Sequence, residues 1–151
     1  MNIDGQFQLP ALRQKVWNKL NDVDVLRDFI PGCESLDQKD ETHFEAVIRA
    51  KIGPINAKFV SQIELQEMNE PQSYTLSVRS KGGAAGMGEG LASVELNEED
   101  TDTLLHYSVE LKVKGKLAQI GSRLINNTVV KLSNQFFESF AAQFENPGKK
   151  V

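Results

Sequence analysis

The sequence KLAQIGSRLINNTVVKLSNQFFESFAAQF, residues 116–144, is the longest stretch of the chain with the periodicity of an amphipathic helix. Its apolar side chains recur every three, four or eight residues and share one helix face. They are Leu117, Ile120, Leu124, Leu132, Phe136, Phe140 and Phe144. A continuous helix over 116–144 would be roughly 43 Å long. Asn126-Asn127-Thr128 predicts a kink, and Asn146-Pro147-Gly148 predicts the helix end.

The region before this helix shows the two-residue alternation of β-strands. Small and apolar side chains alternate with polar ones from Ile3 to Leu9, and again in several segments between Cys33 and Val113. The connections are too short for crossover helices and suit antiparallel hairpins. Two short helices are predicted between the first two strands. The first follows Pro10, and the second is capped by Asp22 and ended by Pro31-Gly32.

One architecture satisfies this order of elements. An antiparallel sheet with one apolar face needs a cover, and only the terminal helix is long enough to provide it. We therefore predict an α+β fold in which a curved antiparallel sheet of about seven strands wraps around the long C-terminal helix. The two short helices close only one end, so a cavity is expected between helix and sheet. We expect one domain over residues 1–146 and a loose tail over 147–151.

Composition excludes several classes of protein. The chain has 151 residues, a net charge of −4 and a pI of about 5.2, whereas dedicated nucleic-acid binders usually have a pI above about 9. With 40% hydrophobic residues it is globular in class, and its single cysteine excludes an internal disulfide. The N-terminus lacks the pattern of a signal peptide, and no apolar run approaches the ~20 residues of a bilayer span. We expect a cytoplasmic protein.

Positive charge is concentrated at the end of the chain. Residues 115–151 carry five basic and two acidic side chains, net +3, whereas residues 1–114 carry net −7. In a continuous helix, Lys116, Arg123 and Lys131 fall near one face. This face is either a solvated surface or a surface that docks on an anionic membrane or an acidic partner.

The glycines between residues 82 and 90 have two interpretations. They lack a following Gly-Lys-Ser/Thr motif and open no helix, which excludes a P-loop and a dinucleotide fingerprint. They either bend a strand where the last helix comes close, or form a small-residue wall beside a ligand. The residues that we expect around an apolar ligand are Phe29, Phe59, Ile63, Met87, Leu91, Ile120 and Leu124.

The sequence nominates no catalytic or metal-binding group. His43 and His106 are out of phase with their apolar neighbours and are expected to face solvent. Cys33 has no evident base, and alternation turns Glu89 outward. We predict no catalytic residue, no bound metal and no intrinsic cofactor.

Several local sequences occur in an order that resembles a known family. The order of elements is similar to the helix-grip fold of START-like and polyketide-cyclase-like (SRPBCC) proteins. The local sequences resemble the carbon monoxide dehydrogenase G-subunit family over residues 1 to about 144. They are Ile30–Leu36 (IPGCESL), Lys51–Pro54 (KIGP), Gly82–Gly86 (GGAAG), Gly115–Ile125 (GKLAQIGSRLI) and the pair Phe136-Phe137.

This resemblance implies a non-catalytic protein that binds a hydrophobic small molecule, a quinone or a lipid. It also implies service to a carbon monoxide dehydrogenase-type molybdenum hydroxylase, with peripheral attachment to the inner face of the membrane. Two alternatives stay open. One is a small START-like enzyme of cyclase or hydrolase type, which would place titratable groups in the cavity. The other is an assembly factor whose core is filled.

Overall fold

The computed structural model describes residues 1–144, and the predicted helix end at 146–148 and the tail 147–151 lie outside them. A 3-10 turn over Gly83–Ala85 separates the fifth and sixth strands. The elements in chain order are β1 Asn2–Leu9, α1 Arg13–Leu20, α2 Val23–Phe29, β2 Cys33–Gln38, β3 His43–Ile52, β4 Ile55–Asn69, β5 Ser73–Lys81, β6 Met87–Glu99, β7 Asp102–Lys114, α3 Lys116–Ile120 and α4 Ser122–Ala142.

The seven strands form one antiparallel sheet in the order β1-β7-β6-β5-β4-β3-β2. Strand β1 pairs with β7, from Asn2 opposite Glu110 to Leu9 opposite Thr103. Alternation gives the sheet an apolar inner face and a polar outer face. The predicted helix-grip architecture is confirmed.

Helix α4 is held on the inner face mainly by aromatic side chains near its C-terminal end. Phe140 is fully buried in the main core. Phe137 stacks on Phe7 of β1 with ring centroids 4.4 Å apart, and Phe136 stacks on Phe140 at 5.6 Å. Burying one such side chain stabilises the fold by about 1.5–3 kcal/mol, so this cluster sets the position of the helix on the sheet.

The predicted continuous helix over 116–144 with a kink at 126–128 is wrong in two respects. The chain breaks at Gly121, where φ is +97°, and this separates α3 from α4. Residues 126–128 remain helical instead of kinking, and the Thr128 hydroxyl donates to the Leu124 carbonyl oxygen at 2.9 Å. Beyond the break, Ile125 is buried while Leu124 is 40% exposed.

The two short helices close one end of the sheet, as predicted. Helix α1 begins at Arg13, three residues beyond Pro10. Asp22 caps α2, because its side chain accepts hydrogen bonds from the backbone N–H groups of Asp24 and Val25 at 3.0 and 3.4 Å. Gly32 then turns the chain at φ +76°, where a β-carbon would collide with the backbone oxygen of Arg49.

Removing this cap should destabilise the protein. We expect Asp22→Ala to lower the free energy of unfolding by about 1 kcal/mol, since two helix N–H groups lose their acceptor. The matched control is Asp28→Ala, at an exposed position near the other end of α2. Urea denaturation measures both, and equal effects of the two substitutions would contradict the assignment of the cap.

Candidate functional site

Two adjacent apolar cavities lie between the inner face of the sheet and the helices. The cap cavity, of about 260 Å³, lies under α1 and α2 and is bordered by Leu20, Leu26, Ile30, Phe136 and Phe137. The glycine cavity, of about 360 Å³, lies under α3 and the first half of α4. Its volume is in the range of small-molecule sites. The predicted cavity between sheet and terminal helix is therefore confirmed.

The glycine cavity exists because one part of the sheet has small side chains. Gly88, Gly90 and Ala92 of β6 form its floor, and Leu117, Ile125 and Val129 lie across from them. A β-carbon at Gly90 would meet no atom closer than 3.8 Å. These glycines therefore leave space that a larger residue would fill.

Another glycine of the same cluster, Gly86, allows two backbone segments to lie close together. Gly86 has φ +105°, and a β-carbon there would collide with the backbone oxygen of Lys114. Gly86 thus permits close backbone contact where β6 begins beside the end of β7. The close approach predicted for this stretch is therefore to the end of β7 and not to the last helix, and the ligand-wall interpretation of Gly88 and Gly90 stays a prediction.

The two cavities adjoin along the strands. Leu76 of β5 lines both of them. On β4, Ile63 lines the cap cavity and Phe59 and Ser61 line the glycine cavity. An elongated apolar molecule running along the strand direction would therefore contact both.

Polar groups are few in these cavities. In the glycine cavity the Ser61 and Ser80 hydroxyl oxygens lie 2.6 Å apart, and Ser61 is only 3% exposed. In the cap cavity, the Asn21 amide donates to the Trp17 carbonyl oxygen, and burial raises the pKa of the Tyr74 hydroxyl. Among the described residues, no carboxylate, imidazole, thiol, ammonium or guanidinium group lines either cavity.

The structure brings together only part of the predicted ligand site. Phe59 lines the glycine cavity and Ile63 lines the cap cavity. Met87 and Leu91 belong to the outward phase of β6, and Leu91 is 46% exposed. Their prediction is corrected, because Gly88, Gly90 and Ala92 hold the inward phase of the same strand.

Three other predicted residues lie beside the cavities without lining them. Phe29 ends α2 and is half-buried. Ile120 and Leu124 cover Gly53 in the β3–β4 turn, since a β-carbon on Gly53 would meet both side chains. Because the helix breaks at Gly121, Ile125 takes the inward position that continuous periodicity assigned to Leu124.

Several residues that line the cavities are absent from the sequence-based prediction of the site. Ser61 stands in the inward phase of β4 between Phe59 and Ile63, and a polar residue in an apolar phase is a detectable signal. Leu76, Val109 and Ile125 are ordinary apolar residues at inward positions. No sequence signal separates them from packed core.

The titratable candidates lie away from the cavities. Glu89 is exposed on the outer face, and His106 has the outward phase of β7. Cys33 is half-buried, its thiol donates to the Ser35 carbonyl oxygen at 3.3 Å, and burial raises its pKa. Within residues 1–144, no group of three or more His, Cys, Asp or Glu side chains is placed to hold a metal ion.

His43 is exposed, as predicted, and belongs to a small polar cluster. Its Nδ1 lies 2.9 Å from a carboxylate oxygen of Asp40, and its Nε2 lies 3.5 Å from Glu64. The hydrogen bond to Asp40 raises the pKa of His43. Hydrogen bonds from the Thr42 backbone N–H and from His43 lower the pKa of Asp40.

The predicted docking residues Lys116, Arg123 and Lys131 are all exposed. The break at Gly121 places Lys116 on α3, so helical spacing relates only Arg123 and Lys131. Lys131 borders a cleft of about 410 Å³ between β3 and α4, together with Lys51 and with Arg49, which is ion-paired with Glu34 at 3.3 Å. This basic cleft adjoins the glycine cavity, because Ala50 lines both.

None of the helices within residues 1–144 has the combination of length and apolarity needed to span a bilayer.

Comparison with known proteins identifies relatives of the whole chain. The family model for the G subunit of carbon monoxide dehydrogenase (CoxG) matches residues 5–145. The chain is 29% identical to a conserved protein of known structure from Geobacillus kaustophilus, with a TM-score of 0.90 and 95% of each chain covered. No curated protein matches the chain.

Two more distant structures share the fold. A START superfamily protein from Mycobacterium smegmatis has a TM-score of 0.69 at 10% identity, with 95% of this chain and 97% of that chain covered. The Zhui aromatase/cyclase from Streptomyces sp. R1128 has a TM-score of 0.70 at 12% identity, with 96% and 93% covered.

The His43–Asp40 contact predicts a pH-dependent contribution to stability. Since the folded-state pKa of His43 is raised, its contribution is complete below its ordinary pKa of about 6.5 and is lost as pH rises through the folded value. The stability difference between wild type and His43→Gln should therefore be larger at about pH 5.5 than at about pH 8.5. Urea denaturation at both pH values measures it, and in an Asp40→Asn background the pH dependence should shrink. A stability difference between wild type and His43→Gln that does not change with pH would contradict a stabilising His43–Asp40 contact.

Proposed function

The chain belongs to the carbon monoxide dehydrogenase G-subunit family, and we propose that it is a non-catalytic carrier of a hydrophobic small molecule. The observation that carries this proposal is the pair of apolar cavities between the sheet and α4. A carrier needs a preformed apolar space, whereas an assembly factor with a filled core does not. Volumes of about 260 and 360 Å³ therefore favour a carrier.

The proposed ligand is of quinone or lipid type, as the family resemblance implies. The cavity walls support an apolar ligand, because nearly all lining side chains are aliphatic or aromatic. Transfer of a ligand from water to these walls gains about 25 cal/mol per Å² of apolar surface buried. Because the two cavities adjoin at Leu76, they suit a molecule that is longer than either cavity.

An enzyme acting in the same space is the weaker alternative. General acid–base catalysis needs a group that exchanges protons near the working pH. Tyr74 is the one titratable side chain among the described residues that line the cavities, and burial raises its pKa above its ordinary value. The likeness to an aromatase/cyclase at 12% identity concerns the fold alone.

The proposed partner is a carbon monoxide dehydrogenase-type molybdenum hydroxylase, served at the membrane. The family name supports the partner. Lys131 supports attachment to an anionic surface, because it is exposed at a cleft that adjoins the glycine cavity, whereas Arg49 at the same cleft is already ion-paired with Glu34. Arg123 extends the positive charge along α4. A ligand could then pass between surface and cavity over a short distance.

Filling the glycine cavity should weaken ligand binding without unfolding the protein. We expect Gly90→Leu to weaken binding of the fluorescent lipophile N-phenyl-1-naphthylamine by about tenfold or more, because the new side chain enters empty space. The matched control is Glu89→Leu, which adds the same side chain on the outer face of β6. Fluorescence titration measures the affinity. Unchanged binding by Gly90→Leu would contradict the carrier proposal.

Reversal of the basic charge should release the protein from anionic membranes. We expect wild type to float with phosphatidylglycerol liposomes at low salt and to dissociate in ~0.5 M salt, since each basic residue contributes about 1 kcal/mol. The double variant Arg123→Glu, Lys131→Glu should lose flotation. The control Arg79→Glu, Lys112→Glu changes the net charge equally on the outer sheet face. If wild type floats equally with phosphatidylglycerol and phosphatidylcholine liposomes, or if the Arg123→Glu, Lys131→Glu variant still floats, membrane docking through these residues is contradicted. Docking would then involve a protein partner.

A further inference from the structure

We infer that the Ser61–Ser80 hydroxyl pair recognises a hydrogen-bond acceptor on the bound molecule, so that the ligand is neutral, largely apolar and bears a carbonyl-type oxygen. This inference rests on the proposed carrier function and specifies the ligand class of the same cavity. The inference follows from three observations: the hydrogen bonding of the pair, the space beside it, and a wall of described residues that carries no charged side chain.

The hydroxyl pair has one hydrogen-bond donor to spare. Ser61 and Ser80 face each other across β4 and β5, with their oxygens 2.6 Å apart. Whichever hydroxyl donates, the proton of the other has no further acceptor among the described residues. Ser61 is 3% exposed and Ser80 is half-buried, so the unused donor is partly withheld from bulk water whichever hydroxyl carries it. A ligand oxygen would satisfy it.

Space for that oxygen lies next to Ser80. Its neighbour across β5 and β6 is Gly88, which also lines the glycine cavity. A β-carbon on Gly88 would meet no atom closer than 3.7 Å, so the position beside the hydroxyl is open. On the other side, Ser61 pairs with the fully buried Ala46 of β3. The open side of the pair is therefore the Gly88 side.

The surrounding wall excludes a charged ligand group at this point. No basic or acidic side chain lines the glycine cavity among the described residues. A buried carboxylate or ammonium without a counter-charge is strongly unfavourable, whereas a neutral carbonyl oxygen needs only one donor. The chemistry of the pair therefore fits a ketone, quinone or ester oxygen on an apolar body.

A matched pair of probes tests the inference. 2,3-Dimethyl-1,4-naphthoquinone and 2,3-dimethylnaphthalene share a ring skeleton and differ in the two carbonyl oxygens. We expect the double variant Ser61→Ala, Ser80→Ala to bind the quinone about two- to tenfold more weakly than wild type does. Its affinity for the hydrocarbon should be unchanged or higher. Isothermal titration calorimetry measures all four affinities.

The double variant is preferred to either single variant. A single Ser→Ala change leaves one hydroxyl that still donates to the ligand, and it also leaves a buried group without a partner. Removing both should keep the melting temperature close to that of wild type. Ser77→Ala, on the outer face of β5, is the control and should bind both probes as wild type does.

The outcomes separate this inference from the carrier proposal. Equal loss of both probes in the double variant, or equal retention of both, would overturn the role of the serine pair and leave the carrier proposal standing. If wild type binds neither probe, both proposals fail. A selective loss of the quinone supports the inference.

Discussion

The apolar inner face of the seven-stranded sheet must be shielded from water, and one helix of 21 residues provides most of the cover. The fit is uneven along the helix. Phe136, Phe137 and Phe140 anchor its C-terminal half against β1 and the core. Its first turns lie opposite Gly88 and Gly90, where the sheet has no side chains to meet them. Stability and empty space thus come from the same packing, at opposite ends of one helix.

The chain also separates its charges from its cavities. Polar and titratable groups lie on the outer face, in turns or in the basic cleft, and the described cavity walls are almost wholly apolar. Such walls suit binding better than proton transfer. In the glycine cavity the exception is the Ser61–Ser80 pair, and we infer that this pair gives the cavity its chemical preference.

Much of the fold could be predicted from the sequence, because alternation and helical periodicity report burial directly. The capping role of Asp22 could also be predicted, because an Asp that directly precedes an apolar helix is a preferred N-cap residue. The break at Gly121 was not, because a glycine inside a helical pattern is usually tolerated and the sequence does not reveal its φ.

The site was less predictable than the fold. Met87 and Leu91 were expected beside a ligand as apolar residues next to the glycines, but strand alternation places them on the outer face once Gly88 and Gly90 are assigned to the inner face. Leu124 shifted outward for a different reason, the change of register at Gly121. A cavity is also lined by the same residue types as a packed core. The sequence therefore cannot tell an empty cavity from a filled core, and the distances between packed side chains are needed to distinguish them.

The pairing of β1 with β7 constrains how the chain is made. Asn2 lies opposite Glu110, so β1 is synthesised about a hundred residues before the strand with which it pairs. Contacts of such long range are slow to form, since a large loop must close before they stabilise anything. On the ribosome, the N-terminal strand therefore waits with its backbone unpaired until almost the whole sheet has emerged. Nascent chains that end before β7 would leave the backbone N–H and C=O groups of β1 and of one edge of β6 unpaired, and open strand edges of this kind favour aggregation.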